Sequence, residues 1–321
     1  MLKRAYTFAA ALTLSVCAGL AHAAYPERPI TVISPFPAGG ATDVLTRILA
    51  ERMGRALDQT LIVENKAGAG TTIGAGYVSR AKPDGYTLLM ATNSTLVTNR
   101  YLYKSLPYDP DGFAPIGMVG IGPLILLASN KNDYKSTADV VQDAKARPGK
   151  LTFATFGPGT SSHLAGELFK QEAGIDVLHV PYKGATMALP AVINGDVDLF
   201  FDMVATGMPQ VEAGKLKVFG ITSKSRLSTL PDLPTMAEQG YPAFDLSAWF
   251  SFVAPPGTSP EVLETLQKAL VTTLEDPQVR EKMLSLGIEP RSGTAQELTQ
   301  QIKNEQPVIE KLVDQAGLER Q

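Results

Sequence analysis

Cysteine and histidine are nearly missing from this sequence: it has one Cys and three His in 321 residues. Cys17 and His22 fall in an N-terminal segment read below as a cleaved leader, which leaves His163 and His179. A chain without cysteine forms no disulfide, offers no thiol nucleophile and builds no thiolate zinc site, and two histidines are too few for a His-rich one. No metal and no cofactor are therefore expected. Basic clusters are missing as well. The formal charge is −3, and −5 once Lys3 and Arg4 are removed with the leader, so nucleic acid is excluded as a partner. Beyond the leader no apolar run is long enough to span a bilayer. What is present is 44% hydrophobic residues, with 12 Phe and 10 Tyr, enough for real cores and against disorder. The 28 Gly and 23 Pro call for many defined turns. At about 150 residues per domain, the length suggests two domains.

Lys3 and Arg4 form a positive n-region, residues 5–20 an apolar stretch, and Ala21-His22-Ala23 a small-x-small cleavage site. The expectation is a signal peptide at 1–23, export to the periplasm and a mature chain beginning at Ala24. A membrane anchor fits less well, because the run is short and is followed by Tyr25-Pro26-Glu27-Arg28-Pro29. Leu14-Ser15-Val16-Cys17 resembles a lipoprotein box, but Val16 is bulky where a small residue is wanted.

The mature chain alternates strand and helix signals. The β-branched run 30–34 gives way to turn residues 35–40, after which Val44, Leu45, Ile48, Leu49 and Leu57 recur at helical spacing. Strands at 61–63 and 86–91 follow, each leading into a helix, and such βαβα order implies parallel sheets covered by helices. Residues 116–129 are almost wholly apolar and too long for one ordinary strand; they read as strands crossing between domains. Residues 246–254 are a second crossing. Two crossings make one domain discontinuous: 24–121 plus 248–321 as one lobe, 122–247 as the other. The C-terminal part is helical, with caps at Ser259, Asp276 and Thr294.

In open α/β sheets, ligands sit beyond the carboxyl ends of the strands. Four strand-to-helix turns there carry special residues: Phe36-Pro37-Ala38-Gly39-Gly40-Ala41-Thr42-Asp43, Gly68-Ala69-Gly70-Thr71-Thr72, Phe156-Gly157-Pro158-Gly159-Thr160-Ser161-Ser162-His163, and Tyr182-Lys183-Gly184. A fifth, Thr92-Asn93-Ser94, follows the third strand. Turns of this kind present backbone N–H groups at helix N-termini, where the dipole also favours an anion. Of the first four, two come from each lobe, so a carboxylate could be held from both sides by neutral donors without a dedicated Arg. Thr42 and Ser162 have a second reading as helix caps. Asp202 either caps the next turn or faces the cleft. His179 in an apolar strand reads as a satisfied core histidine, and Lys183 as solvated. Gly68–Gly74 misses the dinucleotide spacing by one place. Ser161, Ser162 and His163 lack the G-x-S-x-G elbow of a hydrolase.

Long motifs in order give the mature chain a family resemblance. They are YPERPITVISPFPAGGATDVLTR at 25–47, GAGTTIGA at 68–75, KPDGYTLL at 82–89, FGPGTSSHLAGELFK at 156–170, HVPYKG at 179–184, GDVDLFFD at 195–202, LPTMAEQGYP at 233–242, and Trp249 followed by APPGTSP at 254–260. The chain resembles the Bug, or TctC-like, solute-binding proteins of tripartite tricarboxylate transporters from Tyr25 nearly to its end. Lys66-Ala67 stands where Arg-Pro is common in that family, and Thr71 where a second Gly is common. The resemblance implies a two-lobed α/β periplasmic binding protein of the type II Venus-flytrap kind, each lobe a mostly parallel sheet flanked by helices. It implies a non-enzymatic monomer that captures a small carboxylate and delivers it to an inner-membrane permease with one large and one small subunit. It places the carboxylate on the loops matching Pro37–Thr42 and Gly157–His163. The competing function is a secreted α/β hydrolase.

Overall fold

The computed structural model describes residues 25–318 and residue 320. The expected leader, its cleavage point before Ala24, and Cys17 lie outside the described residues.

Three parallel strands open the chain. β1 (Ile30–Ser34) pairs with β2 (Leu61–Asn65) on one side and β3 (Thr87–Thr92) on the other. Helix α1 (Ala41–Leu57) joins β1 to β2, and α2 (Thr72–Ser79) leads on towards β3. α1 turns Leu45, Leu49 and Met53, one face at helical spacing, into the core. After β3 the chain makes a wide turn over Ser94–Thr98 and one short helix, α3 (Asn99–Leu102). The apolar run read as crossing strands is one strand, β4 (Ala114–Ser129), of 16 residues.

β4 serves two sheets. Its first part, to Pro123, runs antiparallel to β9 (Ser247–Ala254), which itself lies against β3. From Leu124 it turns to new partners, β7 (Leu199–Met203) and β8 (Leu216–Ile221), both antiparallel. The second sheet continues through β5 (Thr152–Thr155) to β6 (Leu178–Pro181), in parallel. Parallel pairing is thus confined to three strands in each sheet, and β4 adds an antiparallel flank to both, while β9, read from sequence as a second crossing, pairs only within the first. Four helices flank the second sheet: α4 (Thr137–Ala146), α5 (Ser161–Ala173), α6 (Ala185–Asn194) and α7 (Val204–Glu212). The C-terminal segment returns to the first sheet as α8 (Pro260–Glu275), α9 (Pro277–Ser285), the two-residue β10 (Glu289–Pro290) on β4, and α10 (Ala295–Gln315). The arrangement is α/β and two-lobed. Among the described residues no helix is long and apolar enough to cross a membrane.

The expected caps form: Ser259 and Asp276 cap α8 and α9, and Thr294 accepts from Glu297 N–H at the start of α10. Ser136, which was not singled out from sequence, closes a full capping box on α4. Glu297 turns its own carboxylate to Ser292 instead of back to Thr294.

Candidate functional site

Between the two sheets lies a cleft of ≈ 480 Å³, counting its mouth. One wall comes from the first sheet: Phe36, Pro37, Gly40, Ala41 and Thr42 from the β1–α1 turn, Thr92, Asn93 and Ser94 from the end of β3, and Ala248 and Phe250 from β9. The facing wall is Phe156, Thr160 and Ser161 at the start of α5, Ala185 at the start of α6, and Met203 and Thr206 at the start of α7. None of these lining residues carries a charge.

Four helices therefore begin at the cleft, and they share a property. α1, α5, α6 and α7 have no side-chain cap; of the helices that begin elsewhere, α4, α8, α9 and α10 are capped by side chains and the short α2 and α3 are not. The first helical bond of α1 runs from Val44 N–H to Gly40 O, and that of α5 from Leu164 N–H to Thr160 O. The N–H groups of Ala41, Thr42 and Ser161 thus have no helical acceptor. At α6 the first bonds start from Met187 and Ala188, which leaves Ala185 N–H free in the same way. Unsatisfied donors at positive dipole ends are the chemistry of an anion site. The wide turn at Ser94–Thr98, an i→i+5 segment, is a form often found at functional sites.

Several expected site residues build the walls without lining the cleft. Ala38 and Gly39 are exposed. Asp43 is buried and ties the first loop together: it accepts from Gly39 N–H at 2.9 Å and Asn65 Nδ2 at 2.8 Å, and pairs with Arg47 at 3.0 Å. Burial pushes its pKa up, but the bonds from Arg47, Gly39 and Asn65 prevail and hold it below the ordinary carboxylate range. Gly70 and Pro158 meet backbone to backbone across the two lobes, leaving no room for a side chain on Gly70. Gly184 similarly abuts Pro37, where an added Cβ would lie 2.7 Å from the ring. Thr71 is buried with φ +80°, a backbone state that favours glycine, and is held by a 2.9 Å bond between its hydroxyl and that of Thr95. Gly157 takes φ +124° and Gly159 φ +74° as the β5–α5 loop turns. Tyr182 is half-buried beside this loop.

Ser162 is not a helix cap: its hydroxyl donates to Phe201 O at 2.6 Å. Thr42 makes no capping bond and stays on the cleft wall. His163 Nδ1 accepts from Gly159 N–H at 3.3 Å, and its ring stacks on His179 at 4.2 Å. His179 is satisfied by Thr155 Oγ1 at 2.7 Å. Burial pushes His163 down to about 3, helped by His179 and Lys170, and His179 down to about 4, helped by Lys170. Both are neutral at pH 7, and this geometry gives no nucleophile–base pair to Ser161 or Ser162. Asp202 is fully buried. It accepts from Met203 N–H at 2.8 Å and Thr206 Oγ1 at 2.9 Å, and burial lifts it to about 7 against those two bonds. It does not line the cleft itself, but both of its donors, Met203 and Thr206, do. Lys183 is exposed.

Ala185, Met203, Thr206, Ala248 and Phe250 line the cleft and were not singled out from sequence. Met203 and Thr206 follow Asp202 directly. Ala248 and Phe250 share one face of β9, as two-residue periodicity requires, but that strand is buried on both faces and shows no polarity alternation. No group of three or more His, Cys, Asp or Glu among the described residues is placed to hold a metal ion.

Solved structures with this architecture are periplasmic binding proteins. BugD is 38% identical with a TM-score of 0.89, covering 92% of this chain and 100% of its own. Rpa4515 of R. palustris, solved with adipate, is 32% identical with a TM-score of 0.90, covering 93% and 100%. MatC (Rpa3494) of Rhodopseudomonas palustris, solved with bound malate, is 31% identical with a TM-score of 0.85, covering 90% and 100%. Two sheets sharing a crossing strand, with helix N-termini gathered in the space between them, thus define a two-lobed binding protein of the periplasmic class. Residues 45–318 match the model of the tripartite tricarboxylate transporter family receptor, and the chain belongs to that family.

Proposed function

We propose that the protein is a periplasmic receptor that captures a small carboxylate-bearing solute between its lobes and passes it, chemically unchanged, to a tripartite permease of large and small subunits. The observation that carries this reading is the convergence of four uncapped helix N-termini on a cleft with no charged lining residue. Charge-assisted hydrogen bonds from backbone N–H groups are roughly twice as strong as neutral ones, so the site needs no Arg. The apolar remainder, chiefly Phe36, Phe156, Met203 and Phe250, suits the carbon skeleton. Adipate and malate, seen in two relatives, are both dicarboxylates, and we take that class as the first to test. The lobes are 24–121 plus 248–321 and 122–247, hinging within β4 and where the chain enters β9; the mature form is exported after loss of 1–23 and works as a monomer. The binding residues in this reading are the cleft-lining loops, with Gly70, Gly157, Pro158, Gly159, Tyr182 and Gly184 forming the seam that closes over the ligand.

The test incubates the mature protein with adipate, malate and a wider set of acids. A receptor shows a rise in melting temperature and returns the acid intact by chromatography. Consumption of the acid would establish the hydrolase alternative instead.

A further inference from the structure

We propose that Glu305 is a positioning residue for the cleft: it fixes the Asn93 amide so that the amide oxygen latches the second lobe through Ser161. The proposal rests on the receptor reading above. Glu305 stands on α10 and does not line the cleft. Its carboxylate accepts from Trp249 Nε1–H on β9 with one oxygen and from Asn93 Nδ2 at 3.5 Å with the other. The Asn93 oxygen in turn accepts from Ser161 Oγ at 3.0 Å. Asn93 directly follows β3 of the first sheet, and Ser161 opens α5 on the second; both line the cleft. Among the described residues this is the one side-chain hydrogen bond that crosses from one lobe to the other.

An amide has two ends of similar shape and opposite chemistry. Flipped, Asn93 would set its oxygen against the carboxylate. Glu305 therefore permits one orientation, with NH₂ towards itself and oxygen towards Ser161. Among the described residues no cation pairs with the carboxylate. Asp245, Arg291 and Lys311 border the outer groove that Glu305 also borders, and Arg291 lies 3.9 Å from Glu297. On α3, Arg100 pairs with Asp111, and Tyr101 feels Glu310; α5 and β4 contribute Leu168 and Ile121 to that groove. Burial lifts Glu305 to about 7, against the bonds from Trp249 and Asn93. Protonation would add a donor where two donors already point, so acid should loosen the latch.

The test compares wild type with Glu305→Gln by calorimetry, using whichever of adipate or malate binds. At pH 8 the variant, with unchanged circular dichroism, should bind about three- to tenfold more weakly. Wild-type affinity should fall between pH 8 and pH 6, and the variant should lose that dependence. Asp202→Asn, which removes the other carboxyl titrating near 7, should keep it. Equal affinity and an equal pH slope in Glu305→Gln would overturn the proposal. If neither acid binds, the receptor reading fails for that class, and a ligand-free readout still decides this one. Trp249 is the single tryptophan, so its emission should titrate near pH 7, and Asn93→Ala should move the midpoint upward by removing a donor to the charged carboxylate. A midpoint indifferent to Asn93 would refute the positioning role.

Discussion

Replacing Gly40 with Val tests the backbone-anion site at its centre. Gly40 precedes α1 with φ −78° and ψ 165°, a conformation that valine also adopts. A Cβ built there would touch only Pro37 O, at 3.4 Å, so the fold should hold. As a helix cap, Val is worse than Gly by about 1 kcal/mol or less, a modest loss of stability. The larger effect falls on the cleft, because Gly40 lines it and the new methyls enter the space beside Ala41 and Thr42 N–H. Crowding a filled site costs about 1–3 kcal/mol, which is about five- to 150-fold in Kd. Lys183→Ala is the control: the side chain is exposed, and losing a solvated ammonium should cost about 1 kcal/mol or less. Calorimetry with the best-binding acid reads both variants. If Lys183→Ala abolishes binding while Gly40→Val leaves it intact, a side-chain cation holds the anion and the reasoning is wrong.

Three further outcomes follow from the same geometry. Asp43→Ala removes the acceptor for Gly39, Asn65 and Arg47, and should lower stability by about 2–3 kcal/mol in urea unfolding while weakening ligand binding; Asp43→Asn should do less. Thr71→Gly releases about 1–2 kcal/mol of left-handed backbone cost but loses the bond to Thr95, so its melting temperature should stay close to wild type. The pH dependence of stability should be shallow between about 4.5 and 6.5. His163 and His179, at about 3 and 4 when folded, refuse protons that the unfolded chain accepts, so their contribution is lost as pH falls below the usual histidine value. Asp202 and Glu305, at about 7, keep protons that the unfolded chain releases, so theirs is lost as pH rises towards 7. The slopes oppose, and His179→Asn should unmask a decline with rising pH on the order of 1 kcal/mol per unit or less, measured by urea midpoints at four pH values.

The succession of strands and helices was legible where local signals agree with tertiary placement. The β-branched run before a Pro-Gly turn and a 3.6-residue apolar stripe identified β1 and α1; the excess length of residues 116–129 announced a crossing between domains, but it read as several strands where the structure has the single β4. The loop part of the first wall, though not its β9 residues, was legible for the same reason: a loop that ends a parallel strand and opens a helix has one place to be. What was hidden depends on contacts across the chain. Asp43, Ser162 and His163 sit in the right loops, but their polar atoms close hydrogen bonds to Gly39, Phe201 and Gly159, and only the three-dimensional path of the loop reveals that. Phe250 and Trp249 are neighbours with opposite duties, one on the cleft and one on Glu305, in a strand whose uniform burial erases any pattern that would tell the faces apart. Thr71 shows the converse: the place where the family commonly has glycine proved to be a left-handed position, although its side chain is not on the cleft wall.

The central claim is that neutral backbone donors capture a carboxylate. A thermal-shift panel of mono-, di- and tricarboxylic acids, each beside its neutral amide, tests it most directly. A ligand at a hundred times its Kd stabilises by about 2.7 kcal/mol, well within detection. The account predicts that at least one acid raises the melting temperature and that its amide does not. An amide that stabilises as well as its acid, or a full panel of acids without effect, would contradict it.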